Sequence, residues 1–373
     1  MLVGGGHAHL EVLRSLRVRP LALTEIVLVS SGRHTAYSGM VPGFLSGQYR
    51  ASDIRFDLEA LATSCGGRFI DAAVESVESV ESVDGAGGRV QFNGKRLDFD
   101  ACSVDIGSAP AAGAVAGMRE FSIPLRPLSN VLSLSTRIDE LPPSDGSASI
   151  NVIGGGAAGV EIALAISQRN RGRASVVLVH DESQLLPHYP ARARGLAERA
   201  CQRNGVAVVL GARVVEVQRD GVRLSNGSRL SSVLTIWVAG AAPPPLLAAS
   251  TLPLSSDGFF LVDQTLRAID GTPVWGAGDC VSQQDQSWVP KAGVYAVRQA
   301  PILANNLRAY ISMGGEQQTY VPQREFLSLL STGPRSAILS WHGLAVETSW
   351  AYTLKRFIDN RFMRRYDVPS VGR

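Results

Sequence analysis

Apolar positions along the chain fall into short buried runs, each closed by small residues and followed by an amphipathic stretch. That is the pattern of strands alternating with helices. Ile26-Val27-Leu28-Val29, Ile150 to Ile153, Val176 to Val179, Val206 to Leu210 and Val233 to Val238 read as buried strands. Met1-Leu2-Val3, Arg68 to Glu78, Ser103 to Ile106, Val214 to Val217 and the run into Gly276-Ala277-Gly278 extend the set. Gly87 to Asp100 reads as a β-hairpin. Helical spacing covers Asp57 to Ser64, Val160 to Ile166 and Leu196 to Asn204. A further helix starts near Lys291-Ala292-Gly293, with Val294, Val297, Ile302 and Leu303 as its apolar face. Beyond Leu307, Phe326 to Leu330 and Ser336 to Trp341 flank Thr332-Gly333-Pro334 as a second hairpin. Trp350 to Tyr366 closes the chain as a helix. It carries Trp350, Leu354, Phe357, Ile358 and Phe362 on one face, with Lys355, Arg356, Arg361, Arg364 and Arg365 around it, opposed only by Asp359.

Two of the strands run into glycine clusters that open helices. Gly154, Gly156 and Gly159 complete G-x-G-x-x-G between the strand at Ile150 and the helix at Val160. The spacing suits a pyrophosphate on a helix N-terminus, the first glycine for the turn, the second for close approach, the third for helix–strand packing. Gly4-Gly5-Gly6-His7-Ala8-His9 is a variant with His9 in the third position, expected to push helix from strand or to point at the phosphates. A metal site from His7 and His9 is disfavoured, since no third ligand is near and the spacing is not i, i+4. Gly4 to Ser30 and Gly154 to His180 each span 26 positions, so the two units share one register and form a repeat. Where an acidic residue usually meets a ribose diol, the first unit has Ser30 and the second has His180 followed by Asp181. A His tolerates a 2′-phosphate and Asp181 favours the free diol, with a slight lean to NADH.

Between these units, Thr35 to Tyr49 is an apolar Gly-rich loop. There Met40, Val41 and Pro42 either touch a flat ring or form a cluster under the sheet. Asp105-Ile106-Gly107-Ser108 and Val238-Ala239-Gly240 each end a strand in small residues, as crossovers between domains would. The fold expected is α/β, with two Rossmann-like three-layer (ββα) dinucleotide-binding domains plus a small C-terminal α+β appendage. The domains are placed at 1–112 with 250–320, at 113–249 and at 321–373.

Composition narrows this little. A net charge of +3 gives no footing for nucleic acid. No apolar run approaches the ~20 residues needed to span a bilayer. Met1 runs almost at once into glycines, leaving no room for a signal peptide, and the clipped first strand leaves a start upstream open. The four cysteines, Cys65, Cys102, Cys201 and Cys280, are far apart without C-x-x-C spacing, as reduced cytoplasmic thiols would be.

Together these segments resemble the two-dinucleotide-binding-domain flavoproteins of the pyridine nucleotide-disulfide oxidoreductase superfamily. The chain looks most like the FAD/NAD-binding module found fused to selenide, water dikinase and its stand-alone relatives. The segments that carry this are Gly4–His9, Tyr37–Gly43, Asp105–Ser108, Gly154–Glu161, Gly276–Asp279, Pro290–Gln299 and Arg361–Tyr366. Type II NADH dehydrogenases and sulfide:quinone oxidoreductases are more distant relatives of the same architecture. The resemblance implies that Gly4, Gly6, His7, Ala8 and His9 hold the FAD pyrophosphate, with Ser30, Arg33 and Val74 on the adenosine side. It places Asp279 on the ribityl chain and Pro42, Lys291, Ala292 and Gly293 against the isoalloxazine, with Gly107, Ser108 and Gly278 as further cofactor-binding residues. NADH or NADPH falls to Gly154, Gly156, Ala157, Ala158, Gly159, His180, Asp181 and Gly240. Glu161 matches a glutamate beside the nicotinamide in type II NADH dehydrogenases, the alternative being a first-turn glutamate favoured by the helix dipole.

The activity implied is hydride transfer from NAD(P)H to FAD and onward to a quinone or other small acceptor, with Glu161 and Lys291 as catalytic residues and no metal. Lys291 and the adjacent helix N-terminus suit negative charge on reduced flavin. A redox-active disulfide is not expected, because only Cys280 lies near the flavin. Rival readings are a selenium-linked or other soluble-acceptor reductase, and a nicotinamide-responsive binding or signalling module. The basic C-terminal helix either docks on the core or a homodimer partner, or gives peripheral contact with the inner face of the cytoplasmic membrane, each basic residue contributing roughly 1 kcal/mol.

Overall fold

The computed structural model describes residues 1–82, 85–111, 115–127, 129–142 and 148–368. Each of the two glycine-turn units builds one five-stranded parallel sheet. The first runs Val274–Gly276, Cys102–Val104, Leu2–Val3, Val27–Ser30, Arg68–Asp71. The second runs Ile123–Pro124, Leu234–Trp237, Ser149–Ile153, Ser175–Val179, Val206–Val209. In both, the strand before the glycine turn is central and the strand 26 positions later is its parallel neighbour. The repeat read from the sequence is thus a repeat of sheets. The outermost strand differs: the first sheet takes it from far downstream, the second from just upstream.

Parallel sheets bury both faces. On the first, helices His7–Val18 and Gly293–Ile311 pack together on one side, and the antiparallel ribbon of Val74–Ser82, Gly85–Phe92 and Lys95–Phe99 covers the other through Val77, Val90, Phe92 and Phe99. On the second, helix Ala157–Asn170 lies on one face and the ribbon Val214–Gln218, Gly221–Leu224, Arg229–Ser231 on the other. The crossovers run side by side: the Ala109 N–H donates to the Ala242 carbonyl at 2.9 Å, and the Ala242 N–H to the Ala109 carbonyl at 2.8 Å.

Three expectations are narrowed or corrected. Met40 and Val41, each 2% exposed, pack with Phe44 and Leu45 in the core of helix Ala157–Asn170, and the adjoining Pro42 is likewise buried. Of the two readings of this loop the structure shows the cluster under the sheet, and the loop joins the two halves. The appendage is a three-stranded sheet, Ser328–Gly333, Ser336–Trp341 and Leu344–Thr348, the last missed because its turn lies in His342-Gly343. Both residues are left-handed (φ 46° and 76°), as a tight hairpin turn requires.

The third correction concerns the C-terminal helix, Ser349–Arg365, whose expected apolar face is divided: Phe362 docks against Tyr37 and the first core, while most of the rest turns outward. Ala351 and Asp359 are buried and Lys355 is largely so, while Trp350, Phe357 and Ile358 are exposed at 55%, 62% and 38%. Two of the five basic residues are also held in ion pairs. Lys355 pairs with Asp359 at 3.2 Å, and Arg365 grips Glu11 of the first fingerprint helix through two 3.0 Å bonds.

Candidate active site

The two glycine turns are built for different purposes. In the second, a Cβ on Gly159 would lie 1.6 Å from the Gly154 carbonyl oxygen, so glycine is there for helix–strand contact. A Cβ on Gly156 would meet nothing within 4 Å. That open cradle at the N-cap of a 14-residue helix fits a pyrophosphate. The His180 ring packs under this turn, where a Cβ on Gly155 would come within 2.6 Å of it, and is only 8% exposed. Its Nδ1 lies 3.2 Å from Asp181 Oδ1, and Asp181 is the exposed polar side chain at that strand end. Ala157 and Ala158 form the first turn of the helix, and Gly240 (φ 66°) closes the crossover against Ala111.

In the first turn His9 occupies the position of the third glycine with its ring turned into the protein. Its ring is fully buried between the strand ends, Nδ1 2.6 Å from the Gly4 carbonyl and Nε2 2.9 Å from Ser103 Oγ. Burial pushes its pKa down to about 4, so it is a neutral packing residue in place of the third glycine. The amides of Ala8 and His9 are also taken. Both donate to Asp105 Oδ2, at 2.8 and 3.2 Å, while the Gly6 amide donates to the Asp105 carbonyl at 3.0 Å. His7 keeps a buried Nε2 without a partner, beside Tyr37 (5.7 Å) and Phe362 (5.9 Å). Ser30 ends its strand as expected, but Arg33 is committed to Asp57 and Glu59 at 2.6 and 2.8 Å. Val74 begins the antiparallel ribbon and packs against the core.

Asp279 is one of the points where the two halves meet. Its Oδ2 pairs with Arg126 of the second half at 3.1 Å and lies 3.5 Å from Ser108 Oγ, which follows left-handed Gly107 (φ 69°). Burial raises its pKa, against the pull of Arg126 and Lys291. The preceding Gly278 amide donates to Gln299 Oε1 at 2.8 Å. Asp279, Lys291, Gln283, Tyr295 and Gln299 line one cleft, open to solvent, between the Gly278 turn and the start of the Gly293 helix. The helix expected near Gly293 begins there, with Ala292 as N-cap. Lys291 Nζ bonds the Val281 carbonyl and Ser282 Oγ and lies 3.8 Å from the Phe259 ring centroid. Burial lowers its pKa, so the ammonium is held at the cleft rim without a carboxylate of its own.

Glu161 is not a first-turn residue; the first turn of its helix holds no acid. It accepts the Ser331 amide at 2.7 Å and faces Lys355 and Asp359, tying the second fingerprint helix to the appendage. Burial alone would lower the Lys355 pKa, yet the carboxylates of Glu161 and Asp359 hold it above its ordinary value. Tyr37 turns its hydroxyl toward Asp359 from the loop of the first half.

Asp105, Arg126 and Gln299 are the residues that reading the sequence missed. Only Asp105 left a signal: a charge at the carboxyl end of a buried parallel strand, where α/β sheets bind ligands.

A profile of the family described as "Pyridine nucleotide-disulphide oxidoreductase" matches residues 1–300. The chain belongs to that family. Among relatives, it is 25% identical over 349 residues to the alternative NAD(P)H-ubiquinone oxidoreductase C1 of Arabidopsis thaliana, covering 83% of this chain and 67% of the relative. It is 22% identical over 268 residues to the demethylphylloquinone reductase NdbB of Synechocystis sp., covering 70% and 66%. The chain thus spans about two thirds of the length of these relatives. Two solved structures share the family fold: the sulfide:quinone oxidoreductase of Aquifex aeolicus (TM-score 0.79, 18% identity, 98% and 90% covered) and NDH2 of Plasmodium falciparum with NADH (TM-score 0.77, 14%, 100% and 99%).

Family members named for disulphide chemistry prompt a question about thiols. All four cysteines are free. Cys280, beside Asp279, is fully buried with Sγ against the Ala277 carbonyl at 3.2 Å, and burial pushes its thiol up to about 12. A thiol so held is a poor nucleophile. Replacing Cys280 with Ser is expected to leave reduction of a soluble dye by NADH unchanged in steady-state assays. A collapse of turnover with the flavin still bound would return the thiol to the mechanism.

Proposed function

We propose that the chain is an FAD-dependent NAD(P)H dehydrogenase that passes electrons to a quinone. The observation that carries this is the pair of glycine turns on two joined parallel sheets, one with an open cradle at Gly156 and one beside the Asp279 cleft. Bound FAD supplies the chemistry that accepts hydride from NAD(P)H and hands electrons on. The chain's own part is to bind, orient and exclude water. Gly154, Gly156 and Gly159 seat the nicotinamide dinucleotide, and Asp181 favours a free ribose diol, hence NADH. Asp279, fixed by Arg126 and Ser108, orients the ribityl chain. The Gly293 helix N-terminus and Lys291 would supply positive potential to FAD as it gains negative charge. Glu161, with Lys355 and Asp359, closes the far side of the nicotinamide helix.

Relatives named for ubiquinone and demethylphylloquinone support quinone as the acceptor class. Segments such as Gly4–His9 and Asp105–Ser108 support a finer placement, beside the FAD/NAD module fused to selenide, water dikinase. A cytoplasmic location at the inner membrane face fits a lipid-dissolved acceptor. The attachment would be apolar more than basic, through Trp350, Phe357 and Ile358 with Trp341 and Leu344 of the neighbouring sheet.

The decisive measurement is anaerobic. Purified, FAD-loaded protein is expected to lose its flavin absorbance on adding NADH and regain it on adding a short-chain quinone. Persistent colour after NADH would end the dehydrogenase reading. Changing Trp350, Phe357 and Ile358 together to Gln is expected to abolish co-sedimentation with anionic vesicles while leaving dye reduction intact; unchanged sedimentation would remove the membrane face.

A further inference from the structure

The first fingerprint helix already carries an anion from within the chain. Asp105 is 2% exposed, and its Oδ2 takes two amides of the turn that the fingerprint reserves for phosphate. Its Oδ1 accepts no hydrogen bond from the described residues. That oxygen lies in the seam between the two turns: a Cβ on Gly6 would come within 2.1 Å of it, and one on Gly278 within 2.7 Å. Glycine at both positions makes room for this carboxyl, which therefore forms the floor between the Gly4–Gly6 turn and the Gly276–Asp279 turn.

A doubly charged pyrophosphate seated at that helix end would share it with Asp105. The helix terminus offers only about half a positive charge. The other groups facing Asp105 do not make up the difference. His9 is buried and neutral, Cys280 is a buried thiol, Gln299 is uncharged, and Asp279 adds a carboxylate. The nearby cations, Arg126 and Lys291, are directed at Asp279, the Val281 carbonyl and Phe259. Two anions on one helix end with no cation between them repel strongly in a dry site. The carboxyl is the one that can be neutralised.

We propose that Asp105 is part of the FAD site and holds a proton whenever the dinucleotide is bound, so that FAD binding takes up one proton. The inference rests on the FAD assignment above. Burial, opposed by the Ala8 and His9 amides and aided by Asp279, already lifts its pKa to about 7 without the nucleotide. A bound pyrophosphate raises it further. The sign follows: below the apoprotein value the acid is already neutral and affinity is flat, and above it each binding event must draw a proton from solvent. Affinity then falls by up to tenfold per pH unit.

The test is FAD titration of apoprotein by quenching of flavin fluorescence, from pH 6 to pH 9, for the parent and Asp105→Asn, the neutral isostere. The parent Kd is expected to be flat near pH 6 and to rise about tenfold per unit above about pH 7. The Asn protein is expected to lose the slope and to bind at pH 9 as tightly as the parent does at pH 6. A parent Kd independent of pH, or a slope that survives in Asn, would overturn the proposal. Calorimetry of the parent at pH 8.5 in two buffers of different ionisation enthalpy covers the case in which Asn does not fold. One proton taken up per FAD supports the assignment and zero refutes it. Failure of the parent to bind FAD at any pH is a separate result, and it would remove the flavin reading itself.

Discussion

Replacing Lys355 with Met is expected to destabilise the protein by about 3–5 kcal/mol, the usual cost of stranding a buried charge. Lys355 and Asp359 side chains are 12% and 6% exposed, and Glu161 faces the same ammonium, so one substitution leaves two enclosed carboxylates without their cation. Burial already raises the Asp359 and Glu161 pKa values, and removing Lys355 raises them further. A carboxyl whose folded pKa lies above its unfolded value is destabilising at high pH, and the penalty fades as pH falls through the folded value toward the unfolded one. The loss should therefore be larger at pH 8 than at pH 5 in thermal or urea melts. Equal losses at both would place the effect in packing alone. Ile358→Gln, on the exposed side of the same helix, serves as the control and should melt with the parent.

The second large effect separates two glycines three residues apart. Gly159→Ala is expected to cost about 1–3 kcal/mol and to loosen NADH binding, because its methyl would press on the backbone carbonyl of Gly154 and force helix from strand. Gly156→Ala meets no protein atom, so its fold should be intact while its methyl occupies the cradle. NADH affinity in that variant should fall by roughly tenfold or more, about 1.4 kcal/mol, with FAD retained. Melting curves and NADH titrations of the flavin-loaded proteins distinguish the two. Loss of stability in Gly156→Ala, or none in Gly159→Ala, would reverse the roles assigned to them.

What could be read ahead of the structure was whatever is local. Strand, turn and helix around Gly154 follow from spacing within thirty positions, and the shared register of the two units exposed the repeated sheets. The residues that complete the site meet across the chain. Asp105 reaches amides 97 positions earlier, and Asp279 is joined to Ser108 across 171. No periodicity encodes such contacts. The C-terminal helix misled for a different reason: its pattern was read on the premise that apolar side chains dock. Here the docking partner is Glu161 with the Ser331 amide, so a lysine and an aspartate face inward and Trp350 and Phe357 face out. For His9 the pattern left two roles open, spacing helix from strand or meeting the phosphates, and only the contacts of its two nitrogens with Gly4 and Ser103 show the ring turned into the protein.

The mutual hydrogen bonds of Ala109 and Ala242 mean that the nicotinamide half leaves and rejoins its host at one spot. A segment tethered so can be lifted out and exchanged as a cassette. Transplanting the corresponding stretch of an NADPH-using homologue between these two alanines should change coenzyme preference without disturbing the flavin half, a modularity open to protein engineers and to gene recombination alike.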